Sequence, residues 1–195
     1  MNIRNIKKIK NKIISIGRLL WEKDLVGGWN GNISSRVNDK CILLTGRGTC
    51  LGYLKEEDIV LLDLNGVVLD GVEASSEKLL HLDVYKNFSD IQAVVHTHTV
   101  FTNAFFLEHE FFIPSTFEGE YVLGKVFSVE QNSVNVKDSA PVVERLRTNK
   151  VVVLKRHGVV SIGKDPFDCF ARIQVLEEQL KVEAMRALFS IRKVD

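Results

Sequence analysis

The sequence predicts an α/β fold of three layers, α/β/α, and three observations carry that expectation. Amphipathic helical stretches alternate with short runs of valine, isoleucine and leucine. Gly, Asn and Asp turn signals separate them. The chain has 195 residues, 45% of them hydrophobic, enough to bury one sizeable core, and residues 1–195 read as a single domain.

In chain order, Ile6, Ile9, Ile13, Ile16 and Leu20 recur at three- and four-residue steps, which predicts a helix over 3–25 that Gly27 and Gly28 stop. Strands follow over 32–37, 41–45 and 59–64, joined as hairpins by Asn38-Asp39, the Gly46-Arg47-Gly48 loop and Asn65-Gly66. A helix beginning at Ser75-Ser76-Glu77, with serine as N-cap, runs to about residue 88. A valine-rich strand over 91–96 comes next, then helices over 100–108, 138–148 (with Pro141 in its first turn) and 167–189. Residues 151–154 and 159–162 form a strand pair before the last helix.

Twenty-six basic and 25 acidic side chains leave a formal charge of +1, which gives no field for nucleic acid or an anionic membrane. No segment approaches the roughly 20 apolar residues that span a bilayer. The lysine-dotted N-terminus lacks the apolar core of a secretory signal. Cys41, Cys50 and Cys169 are odd in number, widely spaced and without a CxxC, so reduced thiols in a soluble cytoplasmic protein are expected. The basic cluster Lys7, Lys8, Lys10 and Lys12 reads as a solvated helix face.

The chemistry-bearing residues begin with His96 and His98, one residue apart at a strand end, and His157 after a second apolar run. Residues i and i+2 of a strand face the same way, so both imidazoles can reach one ion and a neighbouring strand can supply the third. On spacing alone, a metal site and a pair of hydrogen-bonded strand histidines fit equally. Gly31 and Asn32, the Thr45-Gly46 loop, and Ser75 and Ser76 at a helix start offer N–H and hydroxyl groups suited to phosphate. Each alone is more often a plain turn or cap; their joint presence is the signal. Glu77 is either a helix-start carboxylate complementing the dipole or a general acid/base.

Gly31-Asn32-Ile33-Ser34, Thr45-Gly46, Ser75-Ser76-Glu77 with His81, His96-Thr97-His98 and His157-Gly158 together resemble the class II aldolase/adducin family over about residues 10–185. The resemblance implies a central, mostly antiparallel sheet covered by helices, assembled as a cyclic homotetramer with sites at subunit interfaces. It implies one divalent ion per subunit, zinc by choice, on His96, His98 and His157. It makes Glu77 the acid/base and Gly31, Asn32, Thr45, Gly46, Ser75 and Ser76 the phosphate site. The activity implied is metal-dependent cleavage or condensation of a phosphorylated ketose, as in L-fuculose-1-phosphate aldolase, through a metal-stabilised enediolate of dihydroxyacetone phosphate.

Two departures bear on the branch. The aldolase branch uses tyrosines on the aldehyde half, and only Tyr53, Tyr85 and Tyr121 are present, with Tyr121 the candidate. Glu120 resembles the acid/base glutamate of the 5-methylthioribulose-1-phosphate dehydratase branch, which lacks a glutamate at the Glu77 position. Aldolase therefore ranks first, dehydratase second and L-ribulose-5-phosphate 4-epimerase third. A non-enzymatic adducin-type module has no need of three histidines and Glu77. Of the remaining residues, His81 reads as a packed helix histidine with pairing to Glu77 as the alternative. Trp21 and Trp29 read as an aromatic cover at the first helix end, and Ile173, Leu176, Leu180 and Met185 as a packing stripe.

Overall fold

The computed structural model describes residues 3–191. Its apolar runs form one nine-stranded sheet: β1 (Asn32–Asn38), β2 (Cys41–Thr45), β3 (Ile59–Asp63), β4 (Val68–Asp70), β5 (Ala93–Thr97), β6 (Phe111–Phe112), β7 (Val126–Val129), β8 (Val151–Leu154) and β9 (Gly158–Gly163). The spatial order is β4-β3-β2-β1-β5-β9-β8-β7-β6. All neighbours pair antiparallel except β7 and β8, which are parallel. The expected mostly antiparallel sheet is thus present.

Strand periodicity sends alternate side chains into two cores. Ile33, Leu43, Leu61, Val95, Val153 and Val159 enter one, with Ile13, Ile16 and Leu20 of α1 (Ile3–Glu22), Phe106 of α3 (Val100–Phe106) and Ile173, Leu176 and Leu180 of α6 (Pro166–Ile191). Ile42, Leu44, Val60, Leu62, Val94, Val152, Leu154 and Val160 enter the other, with Leu80, Val84 and Tyr85 of α2 (Lys78–Asn87) and Val142 and Leu146 of α5 (Ala140–Leu146). A short α4 (Phe117–Leu123) completes the first layer through Leu123. Each fully buried leucine, isoleucine or valine is worth roughly 1.5–3 kcal/mol, so the two-sided sheet is the main source of stability.

The expected helices and hairpins are present, with shifted ends. The first helix stops at Glu22, before the glycines, because Asp24 takes a left-handed backbone (φ 55°) and Leu25 N–H closes on the Leu20 carbonyl. The second starts at Lys78 with Glu77 in the N-cap position, so neither Ser75 nor Ser76 is the cap. Met185 lies half-exposed at the outer end of the α6 stripe. Strands β4, β6 and β7 and helix α4 have no counterpart in the sequence reading. No helix among the described residues is long and apolar enough to cross a membrane.

One buried cation holds the second layer to the sheet. Arg36 on β1 donates through Nε to the Ile91 carbonyl (3.0 Å) and through Nη2 to those of Tyr85 and Phe88 (both 2.8 Å), so it caps the carbonyl end of α2. Arg36→Met keeps the bulk but orphans three carbonyls at about 1–3 kcal/mol each. Urea unfolding followed by circular dichroism is expected to show a loss of roughly 3 kcal/mol or more; an unchanged midpoint would deny Arg36 this role.

Candidate active site

Antiparallel pairing brings the start of β1, the end of β2, the end of β5 and the start of β9 to one edge of the sheet. The three histidines meet there. His96 is on β5, fully buried, opposite Val160, and its Nδ1–H donates to the Val159 carbonyl (3.1 Å). That bond sets the tautomer and leaves His96 Nε2 bare. His98 lies just beyond β5 with its Nε2 facing His96 Nε2 at 2.9 Å. His157 comes from the β8–β9 turn rather than from a strand, and its ring centroid is 4.7 Å from that of His96 and 4.9 Å from that of His98.

The ligand atoms of all three lie within 4.8 Å of one another. His157 Nδ1 is buried without a hydrogen-bond partner. Burial is the main cause that pushes all three imidazoles below their ordinary pKa, His98 to about 4, with the neighbouring rings adding to the shift at His96 and His98. Neutral, converging imidazoles with one orphaned nitrogen are the donor set that a divalent ion takes. Gly158 lets the rings close: a Cβ there would sit 2.2 Å from the Thr97 carbonyl oxygen and 3.0 Å from atoms of both His96 and His98.

Sequence reasoning missed the residues that brace this centre. Glu177 of α6 is buried and accepts hydrogen bonds from Phe101 N–H (2.8 Å), Thr102 N–H (2.9 Å) and Thr102 Oγ1 (2.9 Å), which fixes the start of α3 directly after His98. Asn103 Nδ2 donates to the His157 carbonyl (3.3 Å). A carboxylate inside the Ile173, Leu176, Leu180 stripe was the available signal.

His81 is buried and does not pair with the Glu77 carboxylate. Its Nε2–H donates to Asn32 Oδ1 (2.5 Å), Ser34 Oγ donates to its Nδ1 (2.6 Å), and Tyr85 OH donates to Ser34 Oγ (2.9 Å). The chain of bonds turns the Asn32 carbonyl inward and leaves its amide nitrogen for the cleft. Burial drives His81 down to about 3.

The cleft is lined by Gly31, Asn32, Gly46, Ser75 and Ser76 together with Glu77, His98 and His157. Thr45 is not at its wall: its hydroxyl accepts from Ile33 N–H (3.2 Å) and its carbonyl accepts from Ser75 N–H (3.1 Å), which ties β2 to the serine turn. Glu77 is 4% exposed, and its carboxylate accepts one N–H, from Val136, at 3.1 and 3.3 Å. Burial raises its pKa, and the Val136 bond only partly offsets this. Trp29 also borders the cleft and is 81% exposed, while Trp21 packs on Tyr53 instead. Tyr121 (92% exposed) and Glu120 sit on the open face of α4 and do not line this cleft.

The Class II Aldolase and Adducin N-terminal domain profile matches residues 11–184. An L-fuculose phosphate aldolase of Methanocaldococcus jannaschii is 38% identical over 182 residues, 92% of this chain and 97% of that protein. A 3-oxo-tetronate 4-phosphate decarboxylase of Haemophilus influenzae is 30% identical over 179 residues, 89% of this chain and 85% of that one. In fold, the L-fuculose-1-phosphate aldolase of Thermus thermophilus superimposes with a TM-score of 0.86 at 24% identity, covering 94% of this chain and 96% of that one. The chain belongs to the class II aldolase and adducin family.

The neutral, depressed His81 makes stability pH-dependent. Its contribution is fully present above the ordinary value of 6.5 and is lost as pH falls from there towards 3, because the unfolded chain takes up a proton that the folded chain refuses. His96, His98 and His157 add to the same slope in metal-free protein. In chelator-treated His81→Gln, urea unfolding between pH 6.5 and 4 is expected to show a slope shallower by about one proton, roughly 1.4 kcal/mol per pH unit. An unaltered slope would mean that His81 is protonated in the fold.

Proposed function

We propose that the protein is a divalent-metal-dependent lyase that cleaves and condenses a phosphorylated ketose, an aldolase of the fuculose-phosphate kind. The observation that carries this reading is the convergence of three neutral imidazoles and the buried Glu77 carboxylate on one cleft walled by Gly31, Asn32, Gly46, Ser75 and Ser76. The identity to the M. jannaschii aldolase supports it.

His96, His98 and His157 would hold the ion, with zinc our choice. Bound there, the ion supplies Lewis acidity at the substrate's carbonyl and adjacent hydroxyl oxygens. The backbone N–H at Gly31, the Asn32 amide and the hydroxyls of Ser75 and Ser76 receive the phosphate, with Gly46, whose N–H is held by the Asp58 carbonyl (2.7 Å), as a wall of the site and Thr45 bracing their loop. Glu77 moves the proton: in cleavage it protonates the donor carbon left electron-rich when the carbon–carbon bond breaks, and in condensation it removes that proton. Its raised pKa and single hydrogen bond suit a base that must also act as an acid.

Tyr121 and Glu120, exposed on α4, serve such a site only if supplied across an interface between copies, as in the homotetramer we propose. The dehydratase reading rests on Glu120 and has less support, since Glu77 already occupies the cleft with a perturbed carboxyl. Action in the cytoplasm belongs to the same proposal.

Incubating zinc-loaded protein with dihydroxyacetone phosphate in deuterated water tests the reading by NMR. Metal-dependent loss of the donor-carbon proton is expected, abolished in His96→Ala together with the bound metal. Glu77→Gln is expected to keep the ion, measured by elemental analysis, and to slow exchange at least 100-fold, within the usual 10²–10⁴ contribution of a general base. No exchange from fully metallated wild-type protein would reject the aldolase reading. The same variant has a stability signature. A carboxyl whose pKa is raised by folding lacks its penalty below its unfolded value, gains it as pH rises, and carries it in full above its folded value. Glu77→Gln should therefore melt above wild type at pH 7, with the difference shrinking towards pH 4.

A further inference from the structure

We propose that Arg156, with Gln131 and Asn132, forms a second phosphate site beside the cleft, so that the ketose substrate carries a phosphate at each end; this rests on the aldolase reading above. A hollow of about 380 Å³ adjoins the cleft, lined by Gln131, Asn132, Ser133, Val134, Lys155 and Arg156. Val134 is a wall common to both, and Arg156 directly precedes His157, so the hollow meets the cleft at its histidine end. The first phosphate site, at Gly46, Ser75 and Ser76, is built from other loops of the same cleft.

The charges in the hollow are unevenly spent. Lys155 is committed to Glu110 and to Glu130 (3.0 Å), and Ser133 Oγ donates to the Asn135 carbonyl. The side chains of Arg156, Gln131 and Asn132 make no hydrogen bond or ion pair among the described residues. Arg156 is therefore the uncompensated cation of the hollow. Its fork of N–H groups binds phosphate oxygens in pairs. With two amides beside it, the side chains offer more N–H donors than the two oxygens of a carboxylate can take up, and enough to serve the three terminal oxygens of a phosphate ester.

The backbone adds an independent observation. Arg156 has a φ of 60°, a left-handed conformation that glycine adopts freely and a long side chain does not. The β8–β9 turn needs that conformation, and glycine would meet the need without strain. Asp24 takes the same conformation to end α1, whereas Arg156, one residue from His157 and with its side chain on the hollow, is placed to serve a ligand.

Calorimetric titration of the zinc-loaded protein with D-fructose 1-phosphate and D-fructose 1,6-bisphosphate tests this, with cleavage of each followed separately. The bisphosphate is expected to bind at least tenfold more tightly. That advantage should vanish in R156Q and R156G and survive in part in R156K. R156G should melt no lower than wild type, because glycine relaxes the turn, and this separates loss of binding from loss of fold. Equal affinity for the two sugars, an advantage that persists in R156G, or binding of neither sugar would overturn the inference. An Arg156-dependent advantage without cleavage of either sugar would uphold the second site and reject the aldolase reading. Cleavage without the advantage would do the reverse.

Discussion

The approach of the β8–β9 turn to the end of β5 is the contact on which the rest of the site depends. A Cβ at residue 158 would fall 2.2 Å from the Thr97 carbonyl oxygen, well inside any tolerated contact, so only glycine allows the two strand ends to meet this closely. With that approach, the Val159 carbonyl reaches His96 Nδ1, and His157 comes within 5 Å of both other rings. His96 lies on β5, His98 just beyond it and His157 in the β8–β9 turn, and their convergence is a property of backbone packing. It needs no adjustment of side-chain rotamers against open solvent, because the sheet itself holds the donors in place.

Buried polar groups around the cleft divide by how completely they are satisfied. Glu177 receives three hydrogen bonds, Arg36 makes three to carbonyls, and His81 is bonded at both nitrogens. Those groups hold elements together. Glu77 has a single N–H, from Val136, for a carboxylate with capacity for several, and His157 Nδ1 has none. Both residues line the cleft, and a buried group left short of partners is the kind whose protonation or ligation a substrate or ion can change.

Much of this was legible in the sequence. Continuous valine- and leucine-rich runs announced β2, β3, β5, β8 and β9, and the helical periodicity of Ile6 to Leu20 announced α1. The motif residues Gly31, Asn32, Gly46, Ser75, Ser76, Glu77, His98 and His157 do share one cleft. What failed was short or depended on tertiary contact. Strand β4 is exposed throughout and β6 has two residues, so neither shows an alternating pattern. Serine before an apolar run signalled an N-cap, but the chain turns through Ser75-Ser76-Glu77 because Gly46, Arg47 and Thr45 pair with residues 73–75. His81 is packed as its helix position suggests, and of its possible partners it takes Asn32 and Ser34 on β1 rather than the Glu77 carboxylate that helical spacing offered as the alternative. Helical spacing places neighbours on the same helix and says nothing of a facing sheet.

The position of β5 has a consequence for the order in which the molecule comes together. It is the middle strand of the nine, and its two neighbours lie on opposite sides of it in sequence, β1 beginning at Asn32 and β9 at Gly158. The His96 imidazole and the Val159 carbonyl that orients it are 63 residues apart along the chain. Closing so long a loop must precede any reward from the contact, and folds dominated by such pairings form slowly. During synthesis, a ribosome-bound chain that has exposed β1, β2, β3 and β5 can pair those strands, but it lacks both the third imidazole and the strand that orients the first. The proposed ion-binding centre therefore arises only after the last strand has docked, and uptake of an ion there would report that the sheet is complete.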